Sequence, residues 1–161
     1  MTIDYHECGH AVAAALLGGR IDLLTIEPDN DDEQLPERSG EIRVIWPPGH
    51  WTDRELAIRE IKVSLAGPIV EMIYEQVAYA PEFLEEWRYD WQHAIDNAVD
   101  FLPRNVPIQQ HLGRYVGEVM SFFQRDDVWA AVAALADELD AHGTLELEQI
   151  EAVLEAWPLE Y

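Results

Sequence analysis

Two histidines and a glutamate near the start of the chain have a spacing that can hold a metal ion. His6, Glu7 and His10 form an H-E-x-x-H pattern within Asp4 to Leu17, a stretch rich in alanine and leucine that predicts a helix ended by Gly18-Gly19. Residues four apart lie one above the other on a helix, so both imidazoles can reach one cation at about 2.0–2.1 Å. The plainer interpretation is two surface histidines on an ordinary helix.

The chemistry that this pattern predicts is hydrolysis at a zinc ion. Glu7 lies about 100° around the helix from His6, which places it beside the cation, where it can take a proton from metal-bound water. Zn²⁺ accepts two neutral imidazoles and one carboxylate, and it lowers the pKa of a water in the fourth position to about 7. We therefore expect zinc as the cofactor and amide hydrolysis as the reaction.

The two remaining residues of the pattern, Cys8 and Gly9, indicate how the helix packs. Gly9 costs a helix interior about 1 kcal/mol relative to alanine, which indicates another backbone packed closely against the metal helix. Cys8, about 200° from His6, is expected to face the core.

A third ligand must come from elsewhere, and spacing cannot choose between Glu71 and Asp90. A glutamate on the next long helix would be the gluzincin arrangement.

The elements around this helix predict a mainly α fold with a small β-ribbon or sheet inserted after the first helix. Ile21 to Ile26 and Glu41 to Trp46 have the β-branched composition of short strands, and the acidic loop Asp29 to Glu37 separates them. Thr52 and Glu55 form a capping box that begins a long helix.

The long helix is expected to continue to about Ala78 with an interruption near Gly67-Pro68. Phe83 to Leu102 and Ile108 to Phe123 predict the next two helices. Two further helices are predicted, as follows: Val128 to His142 with Asp126 as its cap, and a last helix opened by Thr144 and ending near Trp157.

Composition limits the class of protein and its partners. The 161 residues include 48% hydrophobic ones, which predicts a single folded domain over residues 1–161. Ten basic against 32 acidic residues give a net charge of −22, which argues against nucleic acid as a partner. The single cysteine, with no leader segment and no membrane-spanning apolar run, predicts a cytoplasmic protein without direct membrane insertion.

Four segments in chain order resemble the peptidase domain of the FtsH-type zinc metalloproteases. Tyr5 to Val12 is similar to that family's H-E-A-G-H-A element, and Leu65 to Glu71 is similar to its L-x-G-R-x-A-E helix. Asp90 to Ala94 resembles the N-D-x-x-x-A element, in which the aspartate is the third zinc ligand. Val132 to Leu154 resembles the final two-helix stretch.

The resemblance implies His6, His10 and Asp90 as zinc ligands, Glu7 as general base, and Glu71 as a residue that orients a ligand or the metal helix. It implies a helical FtsH-like fold and a zinc metalloendopeptidase that cuts peptides or unfolded proteins. Because this sequence contains no ATPase domain, we expect the cleavage to be ATP-independent. Departures from the family include the absence of an AAA ATPase or transmembrane segment in this sequence, Tyr89 in place of the usual asparagine, and Pro103 to Pro107 in place of a glycine-containing segment.

These departures leave two alternative functions open. One is a non-proteolytic zinc-binding interaction module, and the other is the cutting subunit of a complex with a separate AAA ATPase. A homo-oligomer is also left open by the sequence.

Overall fold

The computed structural model describes residues 2–27, 40–77 and 85–161. Within these ranges the chain is mainly helical with a small antiparallel sheet, which confirms the expected fold class. The elements are α1 Thr2–Leu16, β1 Arg20–Thr25, β2 Glu41–Ile45, α2 Asp53–Glu75, α3 Glu85–Phe101, α4 Ile108–Phe123, α5 Asp126–His142, β3 Thr144–Glu146 and α6 Leu147–Ala156. The expected acidic loop and the expected helix limits at Ala78 and Phe83 lie outside the described residues.

The sheet has the strand order β2-β1-β3, with β1 antiparallel to both neighbours. Arg20 pairs with Ile45 at one end of the β1–β2 ladder and Thr25 with Glu41 at the other, with a register shift after Ile21. Because Glu41 begins β2, this ladder fixes where the chain enters the sheet.

Helix α1 lies in the core and packs on α2 and α5, and α2 in turn packs on α3 and α4. Both α1 and the second half of α2 are buried on almost every face, because other elements enclose them. One cluster of buried residues reaches all six helices. No helix in the described ranges has the length and apolarity needed to cross a membrane.

The expected interruption of the long helix near Gly67-Pro68 is wrong, because α2 runs without a break from Asp53 to Glu75. Pro68 removes one backbone donor and crowds the carbonyl four residues earlier, which usually ends or bends a helix. Here every residue from Ile61 to Met72 is buried, so packing on both sides outweighs the local penalty. The predicted capping box is confirmed, with Thr52 N–H donating to Glu55 Oε2 at 2.8 Å.

Two predicted helix starts in the last third of the chain are also wrong. Asp126 is the first residue of α5, and its cap is Arg125. Thr144 does not open a helix; it pairs with Thr25 as the start of β3, and α6 begins only at Leu147. The β-branched Thr144 pairs with the edge of β1 opposite β2, and local sequence could not reveal this pairing.

The prediction that another backbone packs against Gly9 is confirmed. A Cβ at Gly9 would lie 2.8 Å from the carbonyl oxygen of Ala66 and 2.9 Å from the Cβ of Val70. Real side chains do not come this close, so α1 and α2 can approach as they do only with glycine at this position.

Replacing Gly9 with alanine should therefore lower the free energy of unfolding, by about 1–3 kcal/mol, because overpacking outweighs the gain in helix propensity. Urea denaturation of the purified variant measures this change. Gly113→Ala in α4 is the matched control, since nothing lies within 4 Å of its Cβ position. Equal or higher stability of Gly9→Ala would contradict the packing account.

Candidate metal centre

Three side-chain atoms from two helices meet between α1 and α3. His6 Nε2 lies 2.8 Å from Asp90 Oδ2, and His10 Nε2 lies 3.2 Å from the same oxygen. The two Nε2 atoms are 3.2 Å apart. Both histidines are buried, and the Asp90 side chain is 15% exposed. The structure therefore brings together the three residues that the resemblance implied as ligands, as a group that could hold a metal ion.

The other ring nitrogen of each histidine is held by an acceptor. His10 Nδ1 lies 2.6 Å from the carbonyl oxygen of Val63, which can only accept, so Nδ1 carries the hydrogen. His6 Nδ1 lies 2.8 Å from Glu71 Oε2 and donates to that carboxylate. In the neutral rings, both Nε2 atoms then point lone pairs toward the Asp90 oxygen. Metal-binding histidines are usually oriented in this way.

Three acceptors facing one another need a cation between them. Burial opposes the charged form of His6, but its hydrogen bonds to Asp90 and Glu71 outweigh burial and raise the pKa of His6 to about 10. Burial likewise opposes charge on His10, yet the Asp90 carboxylate keeps the pKa of His10 above its ordinary value. Burial would raise the pKa of Asp90, but the two histidines hold it well below its usual range. Without metal, protons supply the positive charge.

The size and chemistry of the cluster fit zinc. In a tetrahedral site with bonds of about 2.0–2.1 Å, neighbouring ligand atoms are about 3.3 Å apart, close to the 2.8 to 3.2 Å separations here. Two imidazoles and one carboxylate are the ligand set of an open zinc site, with the fourth position left for water or substrate. Cys8 is fully buried in the hydrophobic core, as expected, and is not part of the cluster.

Helix α2 passes directly against the Nε2 ends of the two imidazoles at Gly67. A Cβ at this position would collide with His10 Nε2 and would lie 2.6 Å from His10 Cε1 and 2.8 Å from His6 Nε2. The missing side chain leaves the space that the two rings occupy. From the sequence, Gly67 belonged to a segment that resembles the family and to a predicted helix break, and its role in making room for the two rings was not predicted.

Glu7 is buried beside the cluster without being one of the three converging groups. Its charge contributes, after that of Asp90, to the raised pKa values of both histidines. A Cβ at Gly40 would lie 2.6 Å from Glu7 Cδ and Oε1, so this carboxyl group packs against the backbone just before β2. Sequence analysis gave no signal for Gly40, because the contact depends on how the sheet folds onto α1.

Two polar contacts flank Asp90 on α3. The indole Nε1 of Trp87 donates to Glu71 Oε2 at 2.6 Å, and the hydroxyl of Ser64 lies 2.6 Å from His93 Nδ1. Trp87 is buried, and its hydrogen bond to Glu71 was not predicted. The available signal was general: a buried tryptophan needs a partner for its N–H group. His93 is exposed.

No protein-family model matches the sequence, and a search of curated proteins gives no match either. Function therefore has to be inferred from the residues of the site and their geometry.

Gly67→Ala should weaken zinc binding by about 10-fold or more, because the new methyl group would displace the imidazoles from their common target. Isothermal titration of the metal-free variant with zinc measures the effect, and circular dichroism checks that the helices are retained. Gly117→Ala, with open space around its Cβ position, should bind zinc as the unmodified protein does. Unchanged affinity in Gly67→Ala would show that the rings do not need this space.

Zinc binding should release protons, and the affinity for zinc should increase as the pH rises from 6 to 8. This whole range lies below the His6 pKa of about 10 in the metal-free protein. Below that pKa the ring is protonated, and the metal must displace its proton. Calorimetric titrations in buffers of different ionisation enthalpy count the protons released. An affinity that does not change with pH would contradict this competition.

Proposed function

We propose that this protein is a zinc metallopeptidase that cleaves peptide bonds without ATP. The observation that supports it most directly is the convergence of His6 Nε2, His10 Nε2 and Asp90 Oδ2. Glu7, the residue after His6 on α1, is buried as well. A buried cluster of two imidazoles and one carboxylate, with a second carboxylate close by that is not part of it, provides a place for an open-site metal and a proton acceptor. The FtsH-type resemblance of the sequence points to the same reaction.

The roles of the residues follow from where they lie. His6, His10 and Asp90 would hold the ion, which, when bound, would activate water and polarise the substrate carbonyl as a Lewis acid. Glu71 and the Val63 carbonyl fix the tautomers of the two rings.

Glu7 would act as the general base in the hydrolysis. Its carboxylate would accept a proton from the attacking water as the C–O bond forms, and would return a proton to the amide nitrogen as the C–N bond breaks. Burial keeps this carboxylate away from bulk water, and its contact with the Gly40 backbone restricts its position.

The substrate that suits this arrangement is an extended peptide or an unfolded segment of a protein. In the described part of the chain β2 pairs only with β1, so its other edge offers backbone donors and acceptors. That strand begins next to Gly40 and therefore next to Glu7. A peptide paired with β2 would bring its backbone toward the proposed base.

Replacing Glu7 with glutamine tests the reaction directly. The variant should bind zinc as well as the unmodified protein, and should lose about 10²- to 10⁴-fold in the rate of cleavage of a fluorescently labelled, unfolded protein, because the amide cannot take up the proton. Asp90→Ala is the companion variant, which should lose both zinc and activity. Chelation should abolish cleavage, and added zinc should restore it.

Three outcomes would count against the proposal. Full activity of Glu7→Gln would remove Glu7 from the mechanism. Full zinc occupancy in Asp90→Ala would remove that residue from the ligand set. Bound zinc with no cleavage of any unfolded substrate by the unmodified protein would contradict an independent peptidase and favour a zinc-binding interaction module or a subunit that needs a separate ATPase.

A further inference from the structure

We infer that Trp87 and His93 are positioning residues, which hold Asp90 in place by fastening α3 to α2 on either side of it. This inference deepens the proposed function and rests on the metal-binding part of it. Trp87 donates to Glu71 at 2.6 Å, and His93 lies 2.6 Å from the Ser64 hydroxyl. We call these two contacts the α3 staples.

The staples match in spacing and direction. Trp87 precedes Asp90 by three residues and His93 follows it by three, so all three project from one face of α3. Their partners on α2, Glu71 and Ser64, are seven residues apart and occur in the opposite order, as in antiparallel helices. At a rise of 1.5 Å per residue, the staples are about 9 Å apart along α3 and about 10 Å apart along α2. Both contacts can therefore form in one register only.

Asp90 depends on this register more than the histidines do. His6 and His10 lie on α1, whose position is fixed by close packing of Gly9 on α2. Asp90 is the single member of the cluster on α3, and sliding α3 by one residue would move its carboxylate by about 1.5 Å. A shift of that size would remove one ligand from a site with bonds of about 2.0–2.1 Å.

The Trp87 staple also affects the cluster through Glu71, which contacts His6 directly. Glu71 Oε2 accepts from both Trp87 Nε1 and His6 Nδ1. The same oxygen therefore links the α3 backbone position to the orientation of a ligand ring. Loss of the indole donor would free Glu71 to rotate, and both His6 and Asp90 would lose part of their restraint.

The chain supplies a closely matched control for the indole. Trp46 Nε1 donates to Glu60 Oε1 at 2.6 Å, which is the same donor, the same type of acceptor and the same helix α2. That bond involves neither α3 nor any member of the cluster. Trp87→Phe and Trp46→Phe thus each remove one indole–carboxylate bond while keeping an aromatic ring, and only the first removes a staple.

The test compares metal binding in the intact protein and four variants, Trp87→Phe, His93→Ala, His93→Asn and Trp46→Phe. The zinc dissociation constant is measured by competition with a chromophoric chelator, and the visible spectrum of the cobalt-loaded protein reports ligand geometry. Trp87→Phe and His93→Ala should each weaken zinc binding by about 10-fold and alter the cobalt spectrum. His93→Asn should restore both, because its amide can reach Ser64 as Nδ1 does, and Trp46→Phe should change neither.

The results separate this inference from the proposed function. If either Trp87→Phe or His93→Ala binds zinc with unchanged affinity and an unchanged cobalt spectrum, the staple it removes is overturned; equal weakening in Trp46→Phe would also overturn the inference. Because His93 is exposed, its variants keep the core intact even if Trp87→Phe fails to fold. An unmodified protein that binds neither zinc nor cobalt would instead overturn the metal centre itself.

Discussion

The meeting of three hydrogen-bond acceptors in a buried place is the constraint on which the rest of this structure depends. Two imidazole nitrogens of α1 and one carboxylate oxygen of α3 face one another at 2.8 to 3.2 Å, and only positive charge between them makes that arrangement stable. Protons can supply it, as the raised pKa of His6 indicates, and a divalent ion can replace them. Helix α2 makes the meeting possible, because Gly67 leaves room for the rings and Glu71 orients one of them.

Much of the site could be predicted from local sequence, because its first half lies within one helical turn. The spacing of His6 and His10 already places the two imidazoles on one face, and Gly9 indicated the close approach of a second backbone, which the structure confirms at Ala66. Local sequence could not show whether Glu71 or Asp90 completes the cluster with the two histidines. Both lie on later helices, so which one reaches the histidines with a free oxygen depends on tertiary packing, and resemblance alone favoured Asp90.

The features that sequence reasoning missed all depend on contacts between distant segments. Pro68 was read by its local effect as an interruption, but burial on both sides keeps α2 continuous. Thr144 was read as a helix start, but an available edge of β1 makes it a strand residue. The hydrogen bond of Trp87 was not predicted, because the carboxylate that accepts its N–H group, and that also accepts from His6, lies on another helix. In each case the local sequence pattern was present, but a contact with a distant segment outweighed it or added to it.

X-ray absorption spectroscopy at the zinc edge tests the central account most directly, because it measures the types and distances of the atoms around the bound ion without requiring catalysis. For the protein loaded with one equivalent of zinc, the account predicts only nitrogen and oxygen neighbours at about 2.0–2.1 Å, with outer scattering from two imidazoles. A sulfur neighbour at about 2.3 Å would assign the metal to Cys8 instead. A spectrum without imidazole scattering would contradict the convergence of His6 and His10 on a shared ion.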